Sequence, residues 1–148
     1  MATNAIQLLT EDHARLRTLL DELEQTRGDG RREKFEEVRQ TLAAHEIIEE
    51  EEFYPTLRRH PRAKEEVLEG IEEHHLVDQV MGELGATPIS DETWEAKRNV
   101  MTENIRHHME EEETELFPTA RKVLDEGELN ALGDRMASRK TEVLRELS

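Results

Sequence analysis

The sequence contains no cysteine, and only 3% of its residues are aromatic. Without thiols, disulfide bonds, thiolate zinc sites, cysteine-ligated iron–sulfur clusters and cysteine nucleophiles are all excluded. No apolar run approaches the ~20 residues that span a bilayer. The first residues lack a basic segment followed by an apolar core, so no signal peptide is evident. We therefore expect a cytoplasmic protein without a membrane partner.

Basic residues are scarce relative to acidic ones. Lys and Arg number 20 against 36 Asp and Glu, which gives a formal net charge of −16. This charge repels nucleic acids and anionic membranes, whereas it attracts cations. Charged residues make up 38% of the chain, but the apolar residues recur at regular spacings, which disordered chains lack. A length of 148 residues predicts a single folded domain over residues 1–148.

Glycine and proline are also sparse, and they divide the chain into five segments with helical periodicity. The segments span about 4–27, 31–59, 62–84, 91–124 and 128–147. Strand-like alternation is absent, and the connections are short. This pattern predicts an all-α fold, an up-down-up-down antiparallel four-helix bundle with an additional short C-terminal helix.

Caps and helix breaks are visible within this pattern. Asn4 and Ser90 are the expected caps of the first and fourth helices. Pro55 and Pro118 fall inside the second and fourth segments. We expect each proline to bend or end its helix shortly after an acidic stretch.

The chain repeats itself as two helical hairpins, at about 4–59 and 62–124. HEIIEEEEFYP, which begins at His45, aligns with HMEEEETELFP, which begins at His108. At nearly the same offset, the tripeptide that ends at His13 aligns with the one that ends at His74. A pseudo-symmetric pair of hairpins is a natural way to build a two-metal centre.

Each of the four bundle helices has an apolar stripe that is interrupted near its middle by a histidine. In the second and fourth helices a glutamate follows four residues later. Residues at this spacing lie ~40° apart around a helix and one turn apart along it, so both can reach one centre. The interrupting residues are His13, His45, Glu49, His74, His108 and Glu112.

The predicted helix lengths place most of these residues at one height. His13 lies as far before the end of the first helix at Arg27 as His45 lies after the start of the second at Arg31. The fourth helix fits less well, because His108 lies much further from the predicted start at Asp91 than His74 lies from the end of the third helix. A fourth helix that begins beyond the end of the bundle would explain the difference.

Four imidazoles and two carboxylates are thus expected to converge in the core. An ionised carboxylate buried without a partner is prohibitively costly, and a pair of metal ions removes that cost. Nitrogen and oxygen ligands without sulfur suit iron or manganese, and zinc is an alternative. Six protein ligands for two metals leave open positions, as a reactive site requires.

A single buried histidine is usually a hydrogen-bonded core residue. Four histidines in four helices with two matched glutamates instead favour a metal centre. The remaining acid of the two repeated stretches falls off the stripe, so we expect it to form a solvated face. This set comprises Glu46, Glu50, Glu51, Glu52, Glu110, Glu111, Glu113 and Glu115.

Four further residues are weaker candidates for the site. His75 and His107 lie ~100° from their neighbouring ligand candidates, and we expect them in a second layer of side chains or on the surface. Asp78, four residues after His74, is an additional ligand candidate. Tyr54 is another, since a phenolate binds ferric iron well. On an ideal helix it would point away from the site, unless the following proline distorts the geometry.

This constellation resembles the hemerythrin-like, or HHE cation-binding, family. The resemblance rests on LLTEDHARLRTLLDEL, HEIIEEEEFYP, EEHHLVDQVMGEL and HHMEEEETELFP, which together extend over nearly the whole chain. It implies that the six residues bind two iron ions in an oxo- or hydroxo-bridged diiron centre, with Glu49 and Glu112 as bridges.

The chain departs from the oxygen-carrying members of that family. Those members have a second histidine where this chain has Asp78, and an HxxxxD spacing where this chain has HxxxE. With one imidazole fewer, the iron pair is expected to have a further open coordination position. The resemblance therefore favours reaction with small ligands (H2O2, O2 or NO) over reversible oxygen carriage.

Three functions remain open. The first is a diiron protein of oxidative or nitrosative stress defence, with catalase-like peroxide decomposition and with His75, His107 or Tyr54 moving protons. The second is an oxygen- or iron-binding sensor without turnover. The third, ferritin-like iron handling, ranks last because it needs two Glu-x-x-His pairs and only Glu72 and His75 fit. We expect a monomer.

Overall fold

The computed structural model describes residues 3–148. Within that range the chain is helical and contains no strand. The α-helices in chain order are α1 (Ala5–Gln25), α2 (Gly30–Ile48), α3 (Tyr54–Arg58), α4 (Pro61–Ala86), α5 (Trp94–Glu111), α6 (Phe117–Val123) and α7 (Glu126–Leu147). A first π segment (Glu49–Phe53) joins α2 to α3, and a second π segment (Glu112–Leu116) joins α5 to α6.

The helices form a four-helix bundle with an extra C-terminal helix, which confirms the predicted fold. The two π segments continue their helices, so that α2 with α3 and α5 with α6 act as single rods. α7 packs against α1 and α2 on the outside of the bundle. The connections are short, and the one between α1 and α2 turns at Gly28, whose φ is +64°.

The cap prediction is correct for the first helix and wrong for the fourth. The Asn4 side chain accepts a hydrogen bond from the Ile6 backbone N–H at 2.8 Å, which caps α1. The fourth helix begins at Trp94 rather than near Asp91, because Asp91 accepts from the Thr93 N–H in a preceding turn. This later start brings His108 closer to the beginning of its helix, which removes most of the apparent mismatch in height.

Neither proline ends its helix at its own position. Each follows a π segment, and the helix continues beyond it. In the π segments the bond reaches five residues back, from the Tyr54 N–H to the Glu49 carbonyl and from the Phe117 N–H to the Glu112 carbonyl. The widened turn accommodates a residue that lacks an N–H without breaking the rod.

The core consists of two apolar clusters separated by a polar layer. One cluster includes Ile6, Leu9, Phe53, Leu57, Val67, Phe117, Leu132 and Met136. The other includes Leu16, Leu20, Val38, Leu42, Met81, Trp94, Met101 and Ile105. On α4 the apolar residues Val67, Val77, Met81 and Leu84, which flank His74, are buried, and Ile71 is half-buried. None of the described helices is long and apolar enough to cross a membrane.

Candidate metal centre

The polar layer contains all six residues predicted from the sequence. Each of the four bundle rods contributes, and the side chains meet between the two apolar clusters. His13 comes from α1, His45 from α2, His74 from α4, His108 from α5, and Glu49 and Glu112 begin the two π segments. None of the six is more than 4% exposed.

The histidines form two pairs, and each pair defines one candidate metal position. In the first position the rings of His13 and His45 have centroids 5.0 Å apart. In the second position the rings of His74 and His108 have centroids 4.7 Å apart. All four turn Nε2 towards the centre of the layer.

Both glutamates reach both positions. Glu49 places Oε2 3.5 Å from Nε2 of His45 and Oε1 3.0 Å from Nε2 of His74. Glu112 places Oε1 3.1 Å from Nε2 of His13 and Oε2 3.5 Å from Nε2 of His108. Each carboxylate therefore presents one oxygen to each pair of histidines, which is the arrangement of a bridging ligand.

Two buried atoms of the layer show that a cation fits this site. Nε2 of His45 and Oε2 of Glu49 have no hydrogen-bond partner among residues 3–148. Buried polar atoms are rarely left without a partner, because the loss of water is costly. A cation between them would satisfy both atoms, and the nitrogen and oxygen donors suit a first-row transition metal.

A second layer of carboxylates holds the outer nitrogen of every imidazole. The Nδ1 of each histidine donates to one carboxylate: His13 to Glu113 at 2.7 Å, His45 to Asp12 at 3.0 Å, His74 to Glu50 at 2.9 Å and His108 to Glu73 at 2.7 Å. Such partners fix the orientation of a ligand imidazole and make it a stronger donor.

These four carboxylates were not identified from the sequence. Asp12 and Glu73 directly precede a histidine of the layer, and Glu50 and Glu113 directly follow a glutamate of the layer. Each of these two placements occurs once in each hairpin. The internal repeat could therefore have pointed to the four carboxylates. Which histidine each carboxylate contacts depends on the packing between helices.

The expectation of a solvated acidic face is wrong for part of the two stretches. Glu50 accepts a hydrogen bond from His74, Glu113 accepts one from His13, and Glu46 is only 6% exposed. Burial raises the pKa of Glu46 to about 9. Other members of the set do face outward, where Glu51 and Glu52 pair with arginines of α7.

Within the polar layer, the six inner residues form an inner layer whose charges compensate one another. Burial lowers the pKa of His74, but hydrogen bonds to Glu49 and Glu50 outweigh it and raise the pKa to about 9. Burial favours the neutral form of Glu49, yet the neighbouring His45 holds the pKa of that carboxyl well below its usual range. These shifts favour a charged His74 and a charged Glu49 in the metal-free layer, so a metal ion that binds His74 would displace its proton.

Tyr54 lies inside the layer, at the second position. Its buried hydroxyl donates to Oε2 of Glu112 at 2.7 Å and lies 3.4 Å from Nε2 of His74. Burial, reinforced by the charges of Glu112 and Glu49, raises the pKa of the phenol well above its usual value. The wider π turn rotates Tyr54 inward relative to an ideal helix.

The other weak candidates lie outside the inner layer. Asp78 is exposed and lines a surface groove beside Glu46. The side chains of His75 and His107 are 63% and 66% exposed. His107 lies 3.9 Å from Glu73, so it borders the second layer, whereas His75 contacts Glu72 on the surface.

A narrow acidic cleft lies between α4 and the second π segment. It is lined by Glu66, Glu69, Gly70, Glu73, Glu111, Glu112, Glu115 and Leu116. Glu112 links this cleft to the second position. At Gly70 an added Cβ would come within 2.9 Å of the Tyr54 hydroxyl oxygen.

Comparison with known proteins gives one family and one similar structure. Residues 4–120 match the model of the hemerythrin HHE cation binding domain. The fold is similar to the crystal structure of a hemerythrin HHE cation binding domain-containing protein from Mycobacterium kansasii. The two chains are 27% identical with a TM-score of 0.89, and the alignment covers 97% of this chain and 88% of the other. No curated protein matches the sequence.

Proposed function

The chain belongs to the family of hemerythrin HHE cation-binding domains, and on that premise we propose that it is a non-haem diiron protein. His13 and His45 would hold one iron, and His74 and His108 the other. Glu49 and Glu112 would bridge them. We propose that the centre reacts with H2O2, O2 or NO in oxidative or nitrosative stress defence.

One observation carries this proposal. Two buried glutamates each turn one oxygen towards each of two histidine pairs. A structural site for one metal needs only one set of ligands, and it leaves no coordination position of the metal open. Bound iron would supply the one-electron chemistry and Lewis acidity that the side chains lack.

The chain's own residues fit a small, neutral reactant. The acidic cleft repels anions but not H2O2, O2 or NO. Tyr54 offers a proton at its hydroxyl, next to Glu112 and His74. We propose Tyr54 as a further ligand or proton donor at the second position. His107 borders Glu73 at the surface and could exchange protons with solvent.

Peroxide turnover tests the proposed activity. Purified protein is loaded with ferrous iron, its metal content is measured, and oxygen release is followed after addition of H2O2. We expect two irons per chain and oxygen release that continues through many equivalents of peroxide. A single stoichiometric oxidation would contradict the enzymatic function.

A single stoichiometric oxidation would instead favour an oxygen- or iron-binding sensor. The ionic inner layer supports this alternative, because metal occupancy would change the stability of the bundle centre. The two functions therefore differ in turnover and share the same ligands.

A further inference from the structure

The two candidate metal positions differ in the charges behind their histidines. At the first position, both second-layer carboxylates are paired with basic side chains. Arg17 binds Glu113 through two hydrogen bonds of 2.9 and 2.8 Å, and Lys140 binds Asp12. Two positive charges thus balance the two negative charges.

At the second position, no lysine or arginine within residues 3–148 pairs with the second-layer carboxylates Glu50 and Glu73. The basic side chain of His107 lies 3.9 Å from Glu73 at the surface. Glu46 has an oxygen 3.8 Å from Nδ1 of His74, but its raised pKa keeps it neutral, so the uncompensated charges are those of Glu50 and Glu73. The surroundings of this position therefore carry excess negative charge.

These charges act on a metal through the imidazoles. A carboxylate on Nδ1 makes the opposite nitrogen a stronger donor, and a cation on that carboxylate weakens the effect. Uncompensated negative charge also favours the more highly charged metal ion. The side chains of Glu50 and Glu73 are 40% and 22% exposed, so solvent screens part of this effect. Both effects favour the ferric state at the second position.

We propose that Arg17 and Lys140 make the two metal positions electronically unequal, so that iron held by His13 and His45 is reduced before iron held by His74 and His108. This inference rests on the proposed diiron function. Arg17 and Lys140 are positioning residues, because they act through Glu113 and Asp12. Through Lys140, helix α7 acts on the metal centre although it lies outside the bundle.

A redox titration of iron-57-loaded protein tests the inequality. Oxidised protein is reduced stepwise with dithionite, and Mössbauer spectra count ferric and ferrous ions at each potential. We expect two separate one-electron steps and a half-reduced state with one ferric and one ferrous ion. A single two-electron step would overturn the proposal, yet it would leave the diiron function standing.

Substitutions then assign each step to a position. Lys140→Met removes a positive charge behind the first position and should shift the first step to lower potential. Arg17→Met should do the same through Glu113, so a folding defect in either variant leaves the other to decide. Lys140→Arg should restore the original potential.

Glu50→Gln is the converse variant, since it removes a negative charge behind His74. It should raise mainly the potential of the second step. Arg135→Met is the matched control, because Arg135 lies on α7 and pairs with Glu52, which contacts no ligand histidine. If Lys140→Met and Glu50→Gln both shift the two steps equally, the proposal is wrong. Protein that binds no iron would refute the diiron function and this inference together.

Discussion

At the scale of single residues, the site is a set of side chains whose buried polar atoms need a cation. His45 and Glu49 each have an inner atom without a hydrogen-bond partner in the part of the chain that the structure describes, while the outer nitrogen of His45 is bonded to Asp12. The inner layer is therefore built for binding rather than for stability alone, since buried charges without full compensation are costly.

Glu49→Ala and Glu112→Ala test the ligand assignment. Each removes a carboxylate that reaches both positions, so we expect metal content to fall below two irons per chain and the iron absorption to change. Metal analysis and visible spectroscopy measure both effects. Glu51→Ala is the control, because Glu51 belongs to the same acidic run but faces Arg139. Unchanged iron content in both ligand variants would refute the assignment.

Tyr54→Phe tests the role of the phenol. If the phenolate binds ferric iron, the substitution should abolish a visible charge-transfer absorption while two irons remain bound. An unchanged spectrum would leave Tyr54 as a hydrogen-bond donor to Glu112 only.

Gly70 is the residue that leaves room for Tyr54. A Cβ at Gly70 would lie 2.9 Å from the Tyr54 hydroxyl oxygen, so Gly70→Ala should destabilise the fold by ~1–3 kcal/mol through overpacking. Gly82→Ala is the control on the same helix, since nothing lies within 4 Å of its Cβ. It should stabilise α4 by up to ~1 kcal/mol. Denaturant unfolding compares the two, and equal effects would contradict the close contact.

At the scale of elements, the π segments and α7 shape the site. Each π segment starts at a buried glutamate of the polar layer and ends just before an aromatic residue and a proline. The extra residue in the turn allows Glu49, Phe53 and Tyr54 all to face inward. α7 closes the open side of α1 and α2, and brings Lys140 to Asp12.

Leu132→Ala tests whether α7 is an integral part of the bundle. Leu132 is fully buried in the apolar cluster that it shares with α1, so we expect a loss of ~2–5 kcal/mol in the free energy of unfolding. Leu144→Ala, on the same helix but 38% exposed, should cost much less. A loss no greater than that of Leu144→Ala would mean that α7 docks only weakly.

At the scale of the whole molecule, the polar layer divides the core in two. Apolar clusters at either end hold the helices together, and between them lie buried ionised groups from both hairpins. A bound metal pair would join all four rods at mid-height. Stability should therefore depend on metal occupancy and on pH.

The metal-free protein should lose stability as the pH rises from about 6.5 to about 9. The pKa of His74 is raised to about 9 in the folded state, so its contribution is complete below its unfolded pKa and is lost as pH rises through 9. A shift of this size corresponds to about 3 kcal/mol. Thermal unfolding with a chelator at several pH values measures the loss.

Metal-loaded protein is the control for this pH dependence. Its ligand histidines are held deprotonated by the metal, so its melting temperature should change little over the same range. A metal-free protein with a flat profile would contradict the ionic inner layer.

The helical bundle, the buried apolar faces and the six inner residues were predictable from the amino-acid sequence. Helical periodicity and the repeat are local properties, and they place His45 and Glu49 on one face whatever the neighbouring helices do. Three features became visible only in the folded chain: the carboxylate that holds each histidine, the inward turn of Tyr54, and the contact of Lys140 with Asp12. These features depend on contacts between helices and on a widened turn, which the spacing of residues along one ideal helix does not encode.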